Sequence, residues 1–283
     1  LLDVSSLGIT ITGNFHVVLS SPSAADFSVI YFDGYSNNRS LYFNGSAWSV
    51  LNGALGIRAS VRYQRNTTTG VRWARQTTNT PQSLRSLAML SLNDGWAVGT
   101  AGTILRTTTG GLVWNSVSNP SGGNLNSIFF TDPQHGWIVG DITDIMYTTN
   151  GGTTWQTVAN PTVNNLKSVY FVNSNIGWAV GNFGTVLKTT DGGLNWVQQS
   201  SQTASNFFGV HFFNELTGWA VGANSSIYRT TDGGANWGMQ TSPVAATFYS
   251  LDFVDEQRGL ISGSNGSILK TTDGGSNWIM QAS

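Results

Sequence analysis

Side chains that could do chemistry are sparse in this chain of 283 residues, and several of them recur at a fixed interval. Only 10% of the residues are charged, against about 25% in an average soluble domain. Asp191, Asp232 and Asp273 follow one another at steps of 41 residues. A carboxylate that recurs in successive copies of a repeat usually belongs to the construction of the repeat. Specific chemistry must therefore be sought where the repeats differ.

The acidic residues outside that series give no arrangement for catalysis. The only glutamates are Glu215 and Glu256, and a glycoside hydrolase needs two carboxylates about 5 to 10 Å apart. The histidines His16, His135 and His211 lack metal-ligand spacing, and the chain has no cysteine. No phosphate-binding loop, HExxH segment or Ser-His-Asp order occurs. The sequence therefore predicts a protein that is not an enzyme and needs no cofactor.

Asp141 and Asp144 lie in the least repetitive hairpin of the chain, residues 140–145. Two carboxylates three residues apart offer oxygen ligands to a calcium ion, but two are too few for a site. We therefore expect no metal and interpret the difference first as surface variation, and we keep Asp141 and Asp144 as candidate partner-binding residues.

Tryptophan marks the repeat along most of the chain. Six tryptophans stand 41 residues apart without an insertion: Trp73, Trp114, Trp155, Trp196, Trp237 and Trp278. Each unit reads as four short strands separated by turns rich in Gly, Asn and Asp. Four strands in about 40 residues are typical of a β-propeller blade. The predicted fold class is all-β, a propeller of five full repeats, with six or seven blades if degenerate N-terminal ones are present, preceded by a small β-sandwich-like unit.

The turn between the third and fourth predicted strands carries the most specific motif. Residues 189–196, TTDGGLNW, resemble the Asp box, the S/T-x-D-x-G-x-x-W hairpin of sialidases, sortilin-type receptors and some xyloglucan hydrolases. In those families the Asp box lies away from the active site, so the resemblance implies a structural role. The residues predicted to build the boxes are Thr109, Asn150, Asp191, Asp232, Asp273, Trp114, Trp155, Trp196, Trp237 and Trp278.

A longer stretch, GWAVGNFGTVLKTTDGGLNW at residues 177–196, resembles the repeat of the photosystem II assembly factors, which is also found in secreted bacterial proteins. The resemblance covers residues 78–283 and implies a propeller, with assembly chaperone as an alternative function. The assembly factors are usually seven-bladed, whereas five full repeats are counted here. Residues 65–73, RNTTTGVRW, align without a gap to residues 106–114 and resemble a degenerate sixth box. They are either the outer hairpin of a degenerate blade or the entry into the first full one.

A basic residue precedes most box aspartates by three positions. The pairs are Lys188 with Asp191, Arg229 with Asp232 and Lys270 with Asp273. In the second repeat an uncharged Tyr147 precedes an uncharged Asn150, so the pattern favours local ion pairing, worth about 0–1 kcal/mol where exposed. A cationic ring that binds an acidic partner is the alternative.

The first 70 residues do not follow the repeat and are predicted to form a separate unit, with residues 71–283 as the propeller. Residues 39–48, RSLYFNGSAW, and 56–61, GIRASV, resemble the closing part of a β-sandwich domain of secreted proteins from Bacteroidetes-like bacteria. A sandwich without its opening strands has an unpaired edge, to which another strand can add. We therefore expect this unit to mediate assembly with another protein or as a homo-oligomer or filament. Two degenerate blades that complete a seven-bladed ring are the rival interpretation.

Arginines are concentrated at the junction of the two units. They are Arg58, Arg62, Arg65, Arg72 and Arg75. A solvated strand face explains such a group simply, and a docking surface for an acidic partner is the alternative. The five are kept as candidate partner-binding residues.

Composition narrows the function further. A net charge of −1 gives no reason to expect nucleic acid, and no stretch approaches the roughly 18 apolar residues of a membrane span. The neutral polar surface favours a secreted or cell-surface protein, which the family resemblance makes bacterial. The sequence thus predicts a non-enzymatic scaffold or binding protein with a protein partner. The alternatives are an assembly chaperone and, third, a propeller that binds or processes polysaccharide.

Overall fold

The computed structural model describes residues 76–141 and 144–281 in full and, before them, the backbone of six strands. Four of those strands form one antiparallel sheet in sequence order: β1 (Asn14–Leu19), β2 (Ser28–Asp33), β3 (Arg39–Phe43) and β4 (Trp48–Asn52). Strands β5 (Arg62–Asn66) and β6 (Gly70–Ala74) pair as a separate hairpin. The domain boundary at residue 70 stays a prediction.

The β5–β6 hairpin does not have the register of an Asp box. In the first full repeat Arg106 pairs with Asn115, nine positions later, whereas Arg65 pairs with Val71, six positions later. The box turn places Gly110 in the left-handed region, at φ 64, and the residue aligned with it is Thr69. A β-branched residue rarely adopts that conformation. The expectation of a degenerate sixth box is therefore wrong at this hairpin.

Five four-stranded antiparallel blades follow, each a meander in sequence order. Blade 1 contains β7 (Leu84–Met89), β8 (Gly95–Gly99), β9 (Ile104–Thr107) and β10 (Asn115–Ser116). Blade 2 contains β11 (Leu125–Phe130), β12 (Gly136–Gly140), β13 (Ile145–Thr148) and β14 (Gln156–Thr157). Blade 3 contains β15 (Leu166–Phe171), β16 (Gly177–Gly181), β17 (Val186–Thr189) and β18 (Val197–Gln199).

The last two blades have the same plan. Blade 4 contains β19 (Phe207–Phe212), β20 (Gly218–Gly222), β21 (Ile227–Thr230) and β22 (Gly238–Met239). Blade 5 contains β23 (Phe248–Phe253), β24 (Gly259–Gly263), β25 (Ile268–Thr271) and β26 (Ile279–Met280). The first strands of consecutive blades lie against one another, so the first strand is the inner one. The predicted fold class is confirmed: the chain is an all-β propeller with 41-residue blades.

Aromatic side chains fill the space between neighbouring blades. Trp178 of blade 3 stacks on Phe212 of blade 4, with ring centroids 3.5 Å apart, and Trp237 meets that phenylalanine edge-on at 5.9 Å. The indole nitrogen of Trp178 also donates to the carbonyl oxygen of Gly233, at 3.0 Å. The blade 2–3 and blade 4–5 junctions repeat this arrangement. The recurring tryptophans therefore hold blade to blade.

The two ends of a blade carry different connections. The Asp-box turn and the turn between the first two strands meet at one end, where the Gly192 amide donates to Asn175 O at 2.8 Å. At the other end the connection between the second and third strands meets the start of the first strand, through Asn182 N and Asn165 O. We call the first end the box face and the second the bulge face. No helix in the described part of the chain is long and apolar enough to cross a membrane.

Candidate functional site

The Asp boxes are closed by hydrogen bonds within the turn. The Asp191 carboxylate accepts from the backbone amide of Asn195 at 2.9 Å, from its side-chain amide at 2.8 Å and from the Thr189 hydroxyl at 2.9 Å. Asp232 and Asp273 have the same partners. Hydrogen bonds from Asn236 hold the pKa of the Asp232 carboxyl below its ordinary value.

The two boxes without an aspartate close in the same way. Thr109 Oγ1 accepts from Val113 N, and Asn150 Oδ1 accepts from Thr154 N, both at 3.0 Å. The acceptor in the turn therefore needs an oxygen atom rather than a charge. All five residues at the aspartate position and the five box tryptophans lie in corresponding places of their blades.

The basic residues before the boxes do not pair with the box aspartates. Lys188 lies over the ring of Trp178 at 5.2 Å, and Arg229 over Trp219 at 5.5 Å. In the described residues no ion pair joins a box aspartate to the cation three positions before it. The local pairing expected from the sequence is therefore wrong. The physical reason is strand register: Trp178 and Lys188 are direct cross-strand partners, so the ammonium covers the indole face instead.

The two glutamates have corresponding places in successive blades. Asn173 of blade 3 donates to Glu215 Oε1 at 3.1 Å, and Asn214 of blade 4 donates to Glu256 Oε1 at 2.7 Å. Each glutamate thus accepts a hydrogen bond from the preceding blade on the box face. Both glutamates therefore form contacts between neighbouring blades.

The bulge face differs from blade to blade. In each blade the pairing of the first two strands shifts at the second residue of the first strand, which is an extra residue outside the ladder. A β-bulge of this kind redirects a side chain. The five bulged residues are Arg85, Asn126, Lys167, Phe208 and Tyr249. Three are polar and two aromatic, so the residue type at this position varies from blade to blade, unlike the residues that recur in every repeat.

The polar bulged residues converge on Asp141. Its carboxylate accepts from the side-chain amides of Asn126 at 2.8 Å and Asn124 at 3.0 Å and lies 3.2 Å from Lys167 Nζ. Arg85 is 4.0 Å away and also donates to the side-chain amide oxygen of Asn126. Although burial alone would raise its pKa, these donors hold the pKa of Asp141 below its ordinary value. Asp141 is thus an ionised centre that joins the first three blades.

Asp144 has a different environment. It is buried, one carboxylate oxygen contacts Ser121 Oγ, and the other has no donor. Burial raises the pKa of this carboxyl. The structure thus places the two candidate acids near each other but gives them different roles. No group of three or more potential metal-ligating side chains occurs in the described ranges.

The other side of the bulge face is aromatic. The rings of Phe208 and Tyr249 lie 5.8 Å apart, and Tyr249 is 52% exposed. Phe183, at the tip between β16 and β17, is 69% exposed and has left-handed backbone angles, φ 55 and ψ 39. Its amide donates to Asn206 of the next blade at 2.9 Å. At the corresponding place blades 1, 4 and 5 have Ala101, Asn224 and Asn265 in the same left-handed region, and asparagine tolerates that conformation well. The turn conformation therefore recurs, whereas the large exposed ring is particular to blade 3.

A second column of non-repeating residues lines the inner strands. Phe129, Tyr170 and His211 follow one another with ring centroids 4.9 and 4.7 Å apart, and His211 Nδ1 lies 3.1 Å from Asp252 Oδ1. That oxygen has no donor with hydrogen-bond geometry. Burial raises the pKa of Asp252 to about 6. Sequence reasoning missed this row, although its 41-residue spacing was the signal that identifies it.

The arginine group at the junction lies beyond what the structure shows in detail. Arg58 and Arg75 fall outside the described residues. Arg62, Arg65 and Arg72 lie on β5 and β6, whose side chains are likewise outside the described part. Their role in partner binding stays a prediction.

The fold and its turns define the class of protein, an Asp-box β-propeller. The sequence family described as photosynthesis system II assembly factor YCF48 matches the chain in four overlapping stretches, residues 64–159, 112–200, 154–239 and 196–279. The chain belongs to this family. No curated protein matches its sequence.

Solved structures with similar folds include two of YCF48. YCF48 from Cyanidioschyzon merolae has a TM-score of 0.63 and 16% identity, over 93% of this chain and 97% of that chain. YCF48 bound to D1 peptide has a TM-score of 0.53 and 18% identity, over 73% and 82%. An ancestral GH74 enzyme has a TM-score of 0.54 and 17% identity, over 73% of this chain and 32% of that chain. At these identities the likeness concerns the fold alone.

Proposed function

We propose that this protein is a non-enzymatic propeller that holds a segment of a partner protein on its bulge face, in the manner of an assembly chaperone. The observation that carries the proposal is Phe183. A bulky residue in the left-handed region is disfavoured by about 1–2 kcal/mol, and an exposed aromatic ring forgoes about 1.5–3 kcal/mol of burial. Strained residues cluster at functional sites, so a strained and exposed Phe183 is best explained by contact with a partner.

The surroundings of Phe183 suit a polypeptide. Tyr249 and Phe208 offer aromatic surface on the same face, and aromatic residues are enriched in protein interfaces. The polar bulged residues around Asp141 offer donors and acceptors for backbone amides. Together they make one surface with an apolar part and a polar part, which is what an extended peptide segment presents.

Family membership supports the chaperone over the scaffold that the sequence first favoured. The description of the family is that of an assembly factor, and one similar structure is of YCF48 with a D1 peptide bound. A secreted or cell-surface location remains part of the proposal, supported by the low charge content.

Similarity to GH74 enzymes gives less support to catalysis. Glu215 and Glu256 stand one repeat apart and accept hydrogen bonds from equivalent asparagines. A catalytic pair needs two carboxyl groups in different environments, one acid and one base or nucleophile. Two copies of one inter-blade contact do not provide that difference.

The test uses peptides selected from a random display library on the immobilised full-length chain. We expect Phe183→Asn to weaken their binding at least about tenfold, or 1.4 kcal/mol. The same change should raise the free energy of unfolding by about 1 kcal/mol, because asparagine accepts the left-handed conformation more readily. A gain in stability together with a loss of binding separates a binding role from a folding role.

Leu194→Asn is the matched control. Leu194 is 52% exposed in the Asp-box turn of the same blade, on the box face, and its replacement should leave peptide binding unchanged. Selected peptides that are indifferent to Phe183→Asn but lost with Leu194→Asn would overturn the proposal. A library that yields no binder would overturn it as well.

A further inference from the structure

We call the face of blade 5 that points away from blade 4 its outward face. This face differs from the corresponding face of the blades before it. In blade 4, Trp219, Val221 and Ile227 are fully buried against blade 5. The corresponding residues of blade 5 are Leu260, Ser262 and Ile268, and all three are only partly buried. This face therefore lacks the tryptophan that stacks on a following blade and has a hydroxyl where its equivalents have a valine.

A glutamine shows how one blade covers the next. Gln240, at the end of blade 4, accepts from the indole of Trp278 at 3.3 Å and donates to Gly274 O at 3.3 Å. Gln76 makes the same two contacts to blade 1, with Trp114 at 3.2 Å and Gly110 O at 3.4 Å. The residues lie 164 positions apart, which is four repeats. Gln76 therefore stands where a preceding blade would end.

Blade 5 does not take that place. Its corresponding residue is Gln281, whose side-chain amide donates to Ile279 O in its own strand. Because Gln76 already covers the box tryptophan of blade 1, direct closure of blade 5 onto blade 1 would need the same space twice. Blade 1 also presents Met89 where the later blades have the phenylalanine that receives the tryptophan stack. A different unit must lie between the two.

We propose that the N-terminal sheet β1–β4 of the same chain packs on the outward face of blade 5 and closes the ring. The sheet has the strand number, antiparallel pairing and sequence order of a blade. The hairpin β5–β6 follows it and leads directly to Gln76 on the blade 1 side. The match to YCF48 from Cyanidioschyzon merolae leaves 7% of 283 residues, about 20, uncovered. It therefore includes most of the 75 residues that precede Gln76.

In this arrangement the N-terminal unit has an intramolecular role. A sheet held by blade 5 is part of the propeller, which favours the degenerate-blade interpretation over an edge that recruits other molecules. The smaller side chains of the blade 5 face accord with a partner that is not a regular repeat.

A single-cysteine photo-crosslink tests the contact. The chain has no cysteine, so Lys270→Cys gives one attachment point for benzophenone maleimide. Lys270 is exposed, and it pairs with Leu260 on the outward face. After irradiation of the full-length chain and proteolysis, mass spectrometry should find position 270 joined to a peptide from residues 14–52 of the same molecule. No cross-linked dimer should form.

Lys188→Cys is the matched control, because it stands at the same repeat position in blade 3 and faces blade 4. Its cross-links should map to residues 207–239, which shows that the probe reports the unit that follows. Cross-links from position 270 to residues 62–74, to blade 1 or to a second copy would each overturn the proposal. The absence of any cross-linked peptide from position 270, with normal cross-linking from position 188, would overturn it too.

Discussion

The box face and the bulge face are built from the same five blades, yet they treat sequence variation in opposite ways. On the box face Asp191, Thr109 and Asn150 differ in charge but accept the same backbone hydrogen bond. On the bulge face Lys167 and Tyr249 hold the same place, but one binds an acid and the other is an exposed ring. Variation is absorbed at one face and displayed at the other, which is why we assign stability to the first and recognition to the second.

Trp178→Ala is the variant with the largest expected effect on stability. Trp178 is fully buried between blades 3 and 4, and removal of a buried aromatic costs about 3–5 kcal/mol. We expect a loss of that size in denaturant unfolding. Leu260→Ala, at the corresponding position of blade 5, should cost less because leucine is smaller and makes neither the ring stack nor the indole hydrogen bond of Trp178. Equal losses would show that blade 5 is covered by a regular repeat.

The Asp252 carboxyl sharpens the comparison, because it is a non-repeating residue near the box end of an inner strand. Its folded-state pKa is about 6 against an ordinary 3.8, and this difference of roughly 2 units corresponds to about 3 kcal/mol. A raised folded pKa means that the protonated form is favoured in the fold. The stabilisation of the fold by the protonated Asp252 carboxyl is therefore fully present below pH 3.8 and is lost as the pH rises through 6.

We expect Asp252→Asn to gain stability relative to the natural chain as the pH rises from 4 to 7, by up to about 3 kcal/mol. The difference between the two unfolding curves is the measurement, so that other titrating groups cancel. A difference that stays constant with pH would mean that His211 stabilises the charged carboxylate fully.

The smallest effect is expected at a box aspartate. Asp191→Ala removes the acceptor of three hydrogen bonds in a largely exposed turn, and about 1 kcal/mol should be lost. Asp191→Asn should be nearly neutral, because Asn150 closes the box of blade 2 with the same bond. Equal losses for the two variants in thermal unfolding would indicate that the charge itself matters, which would contradict the common role of the boxes.

Much of the fold is predictable from the sequence, because its period is carried by large residues. Each recurring tryptophan occupies an inter-blade space, so its spacing in the chain is the spacing of blades. The limits of the first unit were harder to predict. Residues 65–73 have the length of a box, but Thr69 replaces a glycine that the box turn requires, and only the pairing of Arg65 with Val71 shows the consequence.

The candidate site was predictable only in part. Asp141 and Asp144 stood out as a non-repeating pair, but their separation into an ionised centre and a buried acid depends on Ser121, Asn126 and Lys167. Those partners come from other strands and blades, and no local pattern joins them. The predicted pairing of Lys188 with Asp191 is wrong for a related reason: the two residues are near each other along the chain, but the cross-strand partner of Lys188 is Trp178. Phe183 could have been found by comparison with Asn224 and Asn265.

The bulge in each inner strand has a consequence for how such a protein can change. The bulged residue is outside the ladder, so exchanging it alters no backbone pair, and the five positions sit on five separately hydrogen-bonded sheets. Mutations at sites that share partners are coupled, and here the polar bulged residues share Asp141 while the two aromatic ones contact each other. The bulged positions therefore form two small groups that can be altered, by selection or by design, while the ring that displays them is left as it is.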